Sequence, residues 1–89
     1  MPVEFALFQN YPNPFNPATT IRYSLPGRAQ VTLSVYNTLG QQVAQLINGE
    51  CAPGIHEVQF SAFGLASGVY FYRIQAGAFV QTRKLLLLK

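Results

Sequence analysis

The chain has no aspartate and no tryptophan, one cysteine, one histidine and only three acidic residues, Glu4, Glu50 and Glu57. Each scarcity removes a class of chemistry. A Ser/His/Asp triad lacks its acid unless a glutamate serves. Calcium takes several carboxylate oxygens, which three scattered glutamates supply poorly. Zinc needs three or four His, Cys or carboxylate ligands, and Cys51 with His56 makes two. The expectation is a non-catalytic protein with no metal and no cofactor. Cys51 has no partner for an internal disulfide, so the cysteine count assigns no compartment. No stretch reaches the roughly 20 apolar residues of a membrane span. The start, Met1-Pro2-Val3-Glu4, lacks the basic and apolar regions of a signal peptide, as expected of a cytoplasmic protein or of a piece of a longer exported chain.

What is there is apolar and mildly basic. With 49% hydrophobic and 10% charged residues the chain is no disordered tail, and 89 residues suffice for one small core. The net charge of +3 comes from Arg22, Arg28, Arg73, Arg83, Lys84 and Lys89. These are scattered, with only Arg83 and Lys84 adjacent, so no nucleic-acid footprint forms.

Helical periodicity is nearly absent, while short alternating runs of β-branched and aromatic residues are separated by Gly, Pro and Asn. The class is all-β. Thr19–Ser24 places Ile21 and Tyr23 on one face. Ala29–Asn37 alternates Val31, Leu33 and Val35 inward with Gln30, Thr32, Ser34 and Tyr36 outward. Gln41–Ile47 is a less regular strand, and His56, Val58 and Phe60 line one face of the next. Val69–Ala76 is apolar on both faces, as a central strand is. Phe79–Lys89 closes the chain. Pro26-Gly27 and Pro53-Gly54 read as turns in which Gly supplies positive φ, Leu39-Gly40 and Ala76-Gly77 as tight hairpin loops, and Cys51 as a turn residue. Strands and turns at this spacing predict an antiparallel sandwich. In Leu65-Ala-Ser-Gly68-Val-Tyr70, a Gly before a Tyr at the start of a late strand predicts a tyrosine corner, the ring inward and the hydroxyl bonded near Ala66.

The terminal run Leu85-Leu86-Leu87-Leu88 puts apolar side chains on both faces of its strand. Leu85 and Leu87 share one face, and Leu86 and Leu88 the other. One pair can fill the core, while the other needs a cover. Lys84 and Lys89 bracket the run as charged gatekeepers. At the other end, Asn10-Tyr-Pro-Asn13-Pro14-Phe15-Asn16-Pro17 packs three prolines and three asparagines into eight residues, which neither a helix nor a central strand accepts. An ordered segment is expected, anchored by Tyr11 and Phe15, with asparagine side chains capping backbone amides.

These blocks, together with Thr20-Ile-Arg-Tyr-Ser-Leu25, Val35-Tyr36-Asn37 with Leu39-Gly40, Gly54-Ile-His56 and Gly64-Leu-Ala-Ser-Gly-Val-Tyr-Phe-Tyr-Arg73, resemble the type A C-terminal sorting domain of the type IX secretion (Por secretion) system of Bacteroidetes. The chain is also similar to the Ig-like domain of flagellar hook-capping proteins. The resemblance implies an Ig-like sandwich of about seven strands without a disulfide, spanning residues 8–89 after a linker remnant at 1–7. It implies a domain that directs an upstream passenger through the periplasm to the cell surface or the medium. Its expected partners are the outer-membrane machinery and a sortase-like protease that removes it. The recognition element maps to Gly68, Val69 and Tyr70 and to Thr82, Arg83, Lys84, Leu85, Leu86, Leu87, Leu88 and Lys89. Tyr70, Asn13, Pro14, Phe15, Asn16, Pro17, Gly40 and Gly54 are implied to be structural. Asn37, Ser61 and Ala62 stand where many relatives carry Asp.

Other readings compete. A carbohydrate-binding module of an extracellular enzyme would use exposed aromatics, with Tyr36, Tyr70 and Tyr72 as the candidate platform. A structural Ig-like module, as in the hook-capping relatives, would self-assemble, and an uncovered leucine face would favour a homodimer through the terminal strand. His56 reads as a packed or hydrogen-bonded histidine, and Cys51 as a free thiol without a cation to activate it.

Overall fold

Alternating apolar residues and glycine-bearing turns build seven strands and no helix in the computed structural model, which describes residues 4–88. They are β1 (Ala6–Leu7), β2 (Ala18–Leu25), β3 (Ala29–Tyr36), β4 (Gln42–Cys51), β5 (Gly54–Ser61), β6 (Gly68–Ala76) and β7 (Phe79–Leu87). The order β1-β2-β5 forms one sheet and β4-β3-β6-β7 the other, all antiparallel. The inward residues of both sheets, among them Ile21, Leu33, Phe60, Tyr72 and Leu85, make one core. This is the Ig-like sandwich expected, with Cys51 unpaired.

Each strand buries one face because its side chains alternate. Val31, Leu33 and Val35 are fully buried, as their spacing predicts. Ser34, expected outward, is also buried, and its Oγ has no hydrogen-bond partner among the described residues. Its register partner Arg73 lies with its guanidinium carbon 5.8 Å from the Tyr36 ring centroid. Such long side chains cover the outer face of the sheet there.

Other differences from the sequence reading are local. β4 runs on to Cys51, so that residue ends a strand instead of occupying a turn. Two irregularities in the β3–β4 register, at Leu33/Ser34 and Val35/Tyr36, break the alternation that would have revealed its length. Within the 1–7 stretch assigned to a linker, Ala6 and Leu7 pair with Ser24 and Tyr23, and Leu7 is buried. Gly40, Gly54 and Gly77 take φ of 83°, 121° and 60°, where only glycine is unstrained, whereas Gly27 does not. β6 lies between β3 and β7, the central place its two apolar faces predict.

Candidate recognition surface

The β6–β7 hairpin brings both predicted recognition blocks together. Gly68, Val69 and Tyr70 lie directly opposite Leu87, Leu86 and Leu85. Period-two alternation then sorts the leucines. Leu85 and Leu87 are fully buried in the core, Leu86 is half-buried and Leu88 is 49% exposed. On the outward face Leu86 is flanked by Val69, and Lys84 by Phe71, so an apolar strip ends in a cation. Thr82 stands opposite Arg73. Lys89 lies outside the described residues.

Tyr70 is the corner. Its ring is buried and its hydroxyl donates to the Ala66 carbonyl at 2.7 Å, while Gly68 just before it takes φ 146°. Tyr70 and Tyr72 both face the core, so no aromatic platform forms with Tyr36.

The asparagine- and proline-rich segment straps the free edge of β7. The Phe15 N–H donates to the Leu86 carbonyl at 3.0 Å, and the Leu88 N–H donates to the Phe15 carbonyl at 2.9 Å. Asn13 Oδ1 accepts the Leu86 N–H at 2.9 Å, and the Gln9 amide donates to the Lys84 carbonyl at 2.8 Å. Prolines suit this role because the strap needs few amide donors of its own. Phe15 anchors it at 2% exposure, but Tyr11, the other expected anchor, is 81% exposed. Asn10 is buried and ties Pro12 to Thr19 through its Nδ2. The Tyr72 hydroxyl accepts the Asn10 N–H at 2.8 Å and donates to the Phe8 carbonyl at 2.7 Å. Arg83 donates through Nε to the Leu7 carbonyl. Strand addition along β7 at Leu86 is therefore already taken by the chain itself.

Two phenols register this burial. The Tyr72 hydroxyl is pushed above its usual range by desolvation, against the opposing pull of the Asn10 N–H and Arg83. Tyr23 is pushed well above it, first by desolvation and then by its hydrogen bond to Cys51 Sγ at 3.7 Å and that thiol's charge when ionised. His56 stacks on Tyr23 at 5.2 Å and contacts the Ala52 carbonyl at 2.6 Å through Nε2, so it is packed and bonded as its neighbours on the strand predict.

A family model described as "Secretion system C-terminal sorting domain" matches residues 9–88, from the strap to the last described leucine. The chain belongs to that family. No curated protein matches it. Membership makes the chain a C-terminal sorting signal for type IX secretion, a non-catalytic class whose work is to send a fused upstream passenger through the periplasm to the cell surface or the medium. The sorting domain thereby implies interaction with the type IX machinery. The hairpin, strap and corner of this sorting domain all fall inside the matched residues.

Proposed function

We propose that the type IX machinery reads this domain through the outward face of its terminal hairpin. The residues that carry recognition are Val69, Thr82, Lys84, Leu86 and Leu88, while Gly68, Tyr70, Leu85 and Leu87 hold them in place. One observation supports this most: the leucine run divides into a buried pair and an outward pair, and Leu86 of the outward pair stands opposite Val69. An apolar strip with a cation at its rim suits a protein groove, where apolar contact gives affinity and charge gives orientation. Arg83 belongs to the support, since it is bonded to the Leu7 carbonyl. After passage a sortase-like protease removes the domain on the passenger side of the strap.

The test uses point variants, because truncation before Leu85 would also remove core. A secreted fluorescent reporter fused to residues 1–89 is expressed in a bacterium with a working type IX system. Leu86→Ser with Leu88→Ser, and separately Lys84→Glu, should leave the reporter in the periplasm while the purified domains unfold at the parental denaturant midpoint. Normal surface delivery of the folded double variant would remove the hairpin face from the mechanism. A second reading, self-association through the same strip, is favoured by the exposure of Leu88. Light scattering distinguishes it, since a homodimer would return to monomer in the double variant.

A further inference from the structure

The outer face of the three-stranded sheet carries a second feature, away from the β6–β7 hairpin. Thr20 and Arg22 of β2 stand opposite Gln59 and Glu57 of β5. The strap runs beside them: Tyr11 exchanges backbone hydrogen bonds with Thr20 at 3.0 and 2.9 Å, and the Phe8 N–H donates to the Arg22 carbonyl at 3.0 Å. Two rows result, Phe8–Arg22–Glu57 and Tyr11–Thr20–Gln59, two residues apart along β2 and so about 7 Å from each other. They line an open cleft of about 650 Å³.

Its chemistry is particular. Tyr11 is 81% exposed and Phe8 42%, yet hydrogen-bonded backbone fixes the position of each. Aromatic rings held in water on a rigid frame are ready-made contact surfaces that lose little entropy on binding. The floor is polar but carries no net charge. Arg22 donates through Nε and Nη2 to Glu57 Oε2 at 3.2 and 2.8 Å, leaving Glu57 Oε1 as an acceptor and further guanidinium N–H groups as donors, on side chains more than half exposed. The Thr20 hydroxyl and Gln59 amide add a donor and an acceptor each. A paired cation offers an anionic polymer no counter-ion release. The β2 backbone is bonded on both sides, so a peptide strand finds no edge at β2, and the free edge of this sheet lies on the far side of β5.

We propose that this cleft binds neutral carbohydrate, a glycan whose apolar C–H faces lie on Tyr11 and Phe8 and whose hydroxyls bond Arg22, Glu57 and Gln59. The inference stands apart from the hairpin reading, and either can fail alone. Affinity electrophoresis and amide chemical-shift titration of the 89-residue chain would use soluble β-glucan, mannan, xylan and galactan, with heparin as the anionic comparison. At least one neutral glycan should retard the protein and shift amides near Tyr11, Arg22 and Gln59. Tyr11→Ala, whose fold rests on backbone bonds, should weaken binding about tenfold, and Gln59→Ala should weaken it also. No retardation by any of the neutral glycans, retardation by heparin alone, or equal binding by both variants would overturn the proposal.

Discussion

The Tyr72 hydroxyl of β6 fastens the beginning of the strap, accepting from Asn10 and donating to Phe8 from a fully buried ring. Tyr72→Phe keeps the ring but leaves a buried N–H and a carbonyl unserved. The expected loss is about 1–3 kcal/mol, read from the urea midpoint. The two displaced phenols also set an alkaline limit. A phenol whose folded pKa lies above its unfolded value of about 10 binds its proton more tightly when folded. Its contribution to stability is complete below about pH 10 and is lost as pH rises through the folded value. Stability should therefore fall above that pH, with phenolate absorbance appearing together with unfolding, and Tyr23→Phe should make the fall less steep. Tyr72 was readable from sequence as a residue of a two-faced strand and as a candidate platform aromatic, not as the fastening of the strap. The corner at Tyr70 was legible in detail, because a Gly before a Tyr at the start of a late strand is the local pattern of a ring turned inward with its hydroxyl bonded to backbone a few residues upstream.

At the scale of elements, β7 shows what alternation can and cannot reveal. Period two assigned each leucine to its face without knowledge of any partner strand. The expected consequence is a split in behaviour: Leu85→Ala or Leu87→Ala should cost about 2–5 kcal/mol, whereas Leu88→Ser should move stability by no more than about 0.5 kcal/mol while lowering export. Thermal melts beside the reporter assay check both. The strap was legible as ordered but not as to where it leans. Its prolines exclude a regular strand, and nothing in their spacing names β7 as the neighbour or separates buried Phe15 from exposed Tyr11. Asn13→Ala should make the Leu86 amide exchange faster with solvent, since its acceptor is gone. Ala6–Leu7 escaped notice because two residues carry no period, and the end of β4 because its bulges erase one. The cleft was hidden for a different reason: its rows join residues from three separate segments.

Over the whole molecule, the first and last described residues lie at opposite ends of β7. The Glu4 carbonyl meets Ser24, and Phe5 stacks on Phe79 at 5.1 Å, beside the Gly77 turn. Leu88 meets Phe15 at the far end of a nine-residue strand, about 30 Å away. The Gly77 turn thus lies beside Phe5, about 30 Å from the leucine tip. A short epitope inserted at Gly77 should therefore preserve export, while one inserted after Phe63, near the tip, should reduce it, as surface labelling of the reporter would show. The strap has one further consequence, in the order of events during synthesis. Residues near the start of the domain are fastened by hydrogen bonds to residues at its very end, and Leu85 and Leu87 complete the core. Contacts of such separation form only after the whole segment is available. A ribosome that stops anywhere before Leu85 releases a chain with no closed core and no leucine strip, so the signal doubles as a receipt for translation, carried only by passengers whose synthesis has run through Leu88.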